Sequence, residues 1–155
     1  MTRLEVGIGD LVEAARTPFQ DMYRQTYTRG REPMIPATKG VRNSARYSLC
    51  QVLTIRVARL LHKRFNVEPD DMRELLDRLW ESEPEELLAE FKRGNSNIIL
   101  FGRKAADEFY PASAVNEIDA DLKRRGFRTI AVVGVSLERE FERVVEMLLP
   151  DPTTN

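Results

Sequence analysis

Side chains able to do chemistry fall into two groups in this 155-residue chain. The first group is small. One cysteine, Cys50, and one histidine, His62, are its whole stock of soft metal ligands and thiol or imidazole groups. They share one expected helix, separated along it by about 18 Å of helix rise, too far to form a thiolate–imidazole pair within the chain. A single cysteine also rules out an intramolecular disulfide. No C-x-x-C or H-E-x-x-H spacing offers a zinc site. The two residues read as a core cysteine and a helix-surface histidine. Asp70-Asp71 and Glu85-Glu86 stand at expected helix starts, where the helix dipole favours anions, and do not form a catalytic dyad. Val133-Gly134-Val135-Ser136 lies between an expected strand and an expected helix, where a phosphate loop would sit. One glycine without a lysine reads as a packing turn. The expectation is therefore no enzyme, no catalytic residue, no metal and no cofactor.

The second group is large and unevenly placed. Residues 16–64 carry eleven Lys/Arg (16, 24, 29, 31, 39, 42, 46, 56, 59, 63 and 64) against Asp21 and Glu32, a local charge of +9. The whole chain is −1, so the remainder carries −10. Such segregation points to a polyanionic partner for one part and a different task for the other; the alternative is a solvated basic surface. The near-neutral total does not weigh against nucleic acid, because it hides the local balance.

The elements that position these residues follow from pattern. Ile8, Leu11, Val12 and Ala15 make one face of a short helix. Thr17-Pro18-Phe19-Gln20 is a helix start with a capping box, and the helix runs to about Thr28. Its polar face holds Gln20, Asp21, Arg24, Tyr27 and Thr28, with side chains suited to bases and phosphates. Pro33, Pro36 and Gly40 then break regularity. Met34-Ile35 and 45–47 form either two short strands around the basic turn 39–43, as in a wing, or a disordered basic loop. Ser48 caps a helix to about Phe65 that is apolar around much of its circumference, which marks the centre of a core. Arg56, Arg59 and Lys63 form a stripe on it, either a phosphate contact or a solvated face.

These residues carry a resemblance. Ile8-Gly9-Asp10-Leu11, the turn to Thr17-Pro18, and Arg46-Tyr47-Ser48 leading into a helix with Val52 and Ile55 resemble the MerR-type winged-helix family. That family reads I-G-E-L, then S-P, then R-x-Y-S or R-Y-S. The resemblance covers about residues 6–65. It differs in a shorter helix–helix turn, a longer wing region, and Met22-Tyr23-Arg24 where the family carries an Arg-Tyr-Tyr run. It implies duplex-DNA binding by a dimer, with the second helix in the major groove and the wing on the backbone or minor groove. The DNA-contacting residues expected on these grounds are Thr17, Gln20, Arg24, Tyr27, Thr28, Arg29, Lys39, Arg42, Arg46 and Tyr47.

Beyond residue 66 the pattern changes. Pro69 opens a helix with Met72, Leu75, Leu76 and Leu79 on one stripe. Ser82-Glu83-Pro84-Glu85 starts another with Leu87, Leu88 and Phe91, stopped by Gly94. The family places an antiparallel coiled coil here, but Pro84 argues against one long helix. Asn97 to Gly102 is a short buried strand, and 104–111 is either a second strand or irregular. Ser113 caps a helix ended by Gly126. Phe127 to Val135 is a strand, and Ser136 caps a final helix with Phe141, Val144, Val145 and Leu148 inward. This tail reads as an α/β unit with a parallel pair and a right-handed crossover.

The expected fold is α+β: an N-terminal winged helix-turn-helix (1–66), a helical linker (67–94) and a small C-terminal α/β unit (95–150) for dimerisation or partner binding. No membrane-length apolar run or secretory leader is present, so a cytoplasmic protein is the simplest expectation. The expected function is a DNA-binding transcriptional regulator acting as a homodimer, with RNA polymerase or another regulator as a further candidate partner. The alternative is an adaptor or anti-regulator using the basic face on an acidic protein. A third reading, a small-molecule sensor, requires a pocket between the domains.

Overall fold

The computed structural model describes residues 5–7, 46–127 and 132–149. The expected helix-turn-helix and the turn of the expected wing lie outside these residues. Within them the fold is α+β, with five α-helices and a three-stranded antiparallel sheet. A two-residue strand β1 (Glu5–Val6) pairs antiparallel with β2 (Tyr47–Ser48), Val6 opposite Tyr47.

Helix α1 (Leu49–Phe65) follows β2 directly. Its start is the expected one: the Ser48 hydroxyl accepts from the Gln51 amide at 3.3 Å, and the Gln51 side chain accepts from the Ser48 amide at 2.8 Å. This reciprocal cap satisfies two otherwise orphaned donors. Asn66 ends the helix in the left-handed region at φ 52°, its amide donating to the His62 carbonyl. Nine α1 residues are buried, Val52, Leu53, Ile55 and Leu61 completely. A helix so covered needs neighbours on several sides. They are α2 (Arg73–Glu81), entered through a 3₁₀ turn at Pro69–Met72, and α5 (Leu137–Leu148). One core cluster runs from Tyr47 through Leu76 and Leu87 to Val144, so the seam expected at residues 66–67 falls inside it. Tyr47 meets Trp80 edge-on at 6.3 Å between ring centroids, and Phe91 of α3 (Pro84–Lys92) meets Phe141 likewise at 5.8 Å. Pro84 does separate two helices, but the cap is Glu83 rather than Ser82; its carboxylate and that of Glu86 close the capping box.

Strands β3 (Asn97–Phe101) and β4 (Lys104–Tyr110) form a hairpin across Gly102, which turns at φ 62°. The left-handed conformation is why a glycine stands there. After β4, α4 (Ser113–Arg124) leads to β5 (Val132–Ser136), which pairs antiparallel with β3, Ile99 opposite Gly134. The sheet order is β4-β3-β5. This corrects the expected parallel pair. The segment 104–110, left open by its sequence, is a strand, and its hairpin reverses the chain once more. The helical crossover therefore joins β4 and β5, which run the same way on either side of β3. Ser113 also does not cap α4: Ala112 stands at the cap, and no side chain closes it.

Alternation along β3 divides two cores. Ile98 and Leu100 face the main cluster with α1, α2 and α5. Ile99 faces Ala114, Val115 and Ile118 of α4. Gly134 lies under α4, where a Cβ would come within 2.9 Å of a Val115 methyl. The glycine thus serves packing, as expected, but within a strand rather than a turn.

Candidate functional site

Helix α5 carries an unusual pattern on its inward face. Leu137, Phe141 and Val144 are buried, and so is Glu140. A carboxylate within an apolar stripe is costly unless it is paired. Its partner is Arg56 on α1, whose Nε donates to Glu140 Oε2 at 2.6 Å. The two side chains are 11% and 7% exposed. Arg143, one helical turn on, donates to the other carboxylate oxygen at 2.8 Å. Arg56 is therefore not a solvated residue: its side chain is mostly buried and pairs with Glu140 of α5.

The rest of the stripe opens into a cleft. Arg59, Lys63 and Arg64 of α1 line it with Arg56, and Glu140 and Arg143 of α5 form the opposite wall, enclosing about 270 Å³. An adjoining recess of about 300 Å³ shares Leu60, Arg64 and Arg143 and adds Phe65, Val135, Ser136 and Arg139. One guanidinium nitrogen of Arg59 is buried without a hydrogen-bond partner among the described residues. Among those residues no carboxylate lies in ion-pair range of Arg59, Lys63, Arg64 or Arg139. Sequence reading found the α1 stripe but not its other wall. Glu140 between Leu137 and Phe141 was the available signal, since a charge at an apolar-stripe position needs a counter-charge.

Of the expected DNA-contacting residues, Thr17, Gln20, Arg24, Tyr27, Thr28, Arg29, Lys39 and Arg42 lie outside the described residues. Arg46 is exposed beside the β1–β2 pair, its Nη1 3.0 Å from where a Cβ on Gly7 would stand. Tyr47 is fully buried, its ring against Trp80. This corrects its expected contact with DNA: a side chain at the base of α1, in the core, has no surface to offer a duplex. Cys50 is a core residue, and His62 is exposed with Nδ1 3.3 Å from the Val67 carbonyl oxygen.

Among the described residues no helix is long and apolar enough to cross a membrane, and no group of three His, Cys, Asp or Glu side chains is placed to hold a metal ion. No protein-family model matches the chain, and no curated protein or solved structure matches it.

Proposed function

We propose that the chain is a sequence-specific duplex-DNA-binding transcriptional regulator that acts as a dimer. The observation carrying this reading is the segregation of +9 into residues 16–64 of a chain whose total is −1. Counterion release from a duplex rewards such clustering, whereas folding alone does not. The MerR-type resemblance supports it further. So does the β1–β2 pairing, because it holds positions 6 and 47, both within the stretch that carries the resemblance, side by side. A dimer is favoured because one small module seldom specifies a site alone. Among the described residues β4 and β5 are the outer strands of the sheet, and Phe101, at the end of β3, is 41% exposed. Outer strands of this kind favour a covering partner.

The test is an electrophoretic shift of the full chain on genomically selected duplexes across a salt series, with sedimentation to count protomers. Affinity should fall steeply with salt, and Arg24→Ala should relax discrimination between sites by about 1–3 kcal/mol. Arg46→Ala should weaken all duplexes alike, as loss of a phosphate contact does. Equal loss for Arg24→Ala on specific and random duplexes would refute the recognition-helix assignment. Salt-independent retention of an acidic protein, with no duplex binding, would favour the adaptor reading.

A further inference from the structure

We propose that the cleft between α1 and α5 binds a phosphorylated small molecule, with its phosphate groups among Arg59, Lys63 and Arg143. This goes beyond DNA binding and does not depend on it. Six cations, Arg56, Arg59, Lys63, Arg64, Arg139 and Arg143, line the cleft and its adjoining recess against one carboxylate, Glu140. The local excess is five positive charges. Glu140 already occupies Arg56 and Arg143. It also anchors both guanidinium groups at the cleft wall.

Crowding of like charge destabilises a folded protein, and such a cost is commonly retained where binding needs it. A merely solvated stripe would present its nitrogens to water. Here one Arg59 nitrogen is buried and without a partner among the described residues. Arg59 also lines the cleft, and its planar guanidinium matches the geometry of phosphate.

Shape separates a small ligand from a nucleic-acid backbone. The cations stand on two helices facing one another across a recess, not along a ridge that a duplex could lie against. The 270 Å³ cleft and the adjoining 300 Å³ recess together reach the size of a small-molecule site. Leu60, Phe65 and Val135 give the second recess an apolar wall, which suits the organic part of a sugar or nucleoside phosphate.

The experiment is thermal unfolding of the full chain at constant ionic strength, with sodium tripolyphosphate, ATP or, as control, sodium sulfate. Tripolyphosphate at ~100-fold excess over its Kd should raise Tm by about 5 °C or more, well above sulfate. Arg59→Gln and Lys63→Gln should each weaken binding about tenfold, consistent with loss of one charge-assisted contact. Lys63 is exposed, so its substitution leaves folding intact, and Arg125→Gln, at the C-cap of α4 and not among the residues lining the cleft, should change nothing. ATP binding tighter than tripolyphosphate, with Phe65→Ala cancelling the difference, would identify a nucleotide. Equal binding would assign recognition to the phosphates alone; both results uphold the site. A shift no larger than that of sulfate, or one unchanged in both variants, overturns it. If small phosphates do nothing and Lys63→Gln weakens duplex binding, the cleft is a DNA-backbone contact and only the DNA reading stands. A tripolyphosphate shift in a chain that binds no duplex would leave the cleft assigned and remove the DNA reading.

Discussion

Glu140 illustrates how much a single side chain can hold. Removing it would strand Arg56, which is 11% exposed, without its carboxylate. Breaking a buried pair from one side costs about 3–5 kcal/mol, whereas replacing both partners with apolar groups of similar volume is often neutral. Glu140→Ala is therefore expected to lower urea stability by several kcal/mol. The double change Arg56→Met with Glu140→Leu should recover most of that loss. A double mutant as unstable as the single would show that the pair is not what Glu140 contributes. Gly134→Ala offers a second check. The new methyl would stand 2.9 Å from Val115 on α4, and overpacking of this kind costs about 1–3 kcal/mol. Chemical denaturation that is unchanged by the substitution would mean that α4 shifts freely. The sequence showed Ser48 as a cap because the amide it accepts from lies only three residues on. It did not show the Arg56–Glu140 pair, because 84 residues separate the partners: Glu140 on an apolar stripe signals that a counter-charge is needed, but nothing local says which cation supplies it.

Helices and strands were legible to different degrees for a related reason. Caps and stops are local chemistry, so α1, α3 and α5 begin close to where pattern places them. Ser48→Ala should accordingly destabilise the protein by about 0.5–2 kcal/mol, read from the midpoint of urea unfolding. The direction of β5 depends instead on whether the segment before α4 is a strand, and alternation in KAADEFY is too weak to decide that. The end of α3 gives a prediction in pH. The Asn95 side chain donates to Glu90, and Arg93 lies beside it; together they hold the Glu90 carboxyl below its ordinary value. A carboxylate lowered in the folded state adds stability above its unfolded range, and that contribution is lost as pH falls through the lowered folded value. Asn95→Ala should move the Glu90 titration upward, as followed by carboxyl NMR. An unmoved titration would assign the effect to the neighbouring arginine.

Taken together, the molecule is less divisible than its charge pattern suggests. Composition changes sharply near residue 66, and the sequence reads as a basic unit followed by an acidic one. The structure instead gives α1 a core shared with Ile98, Leu100, Phe141 and Val144. Charge reports what a surface meets, not what lies beneath it, so the change of composition near residue 66 does not mark an edge of the core. The fragment 67–155, deprived of the fully buried Leu53, Ile55 and Leu61, should fail to give a cooperative thermal transition. A dispersed NMR spectrum from that fragment would show that the later elements fold without α1. Functional tests therefore belong on point variants of the full chain rather than on halves.

The span between Arg56 and Glu140 also has a consequence in time. During synthesis Arg56 is added to the chain 84 residues before the carboxylate that will cover it. At about 5–20 residues per second, that interval is roughly 4–17 s. For those seconds the cationic stripe of the nascent helix is open to whatever polyanion is nearby, the ribosome's own RNA included. The arrival of α5 draws Arg56 out of reach and converts an open basic stripe into a walled cleft.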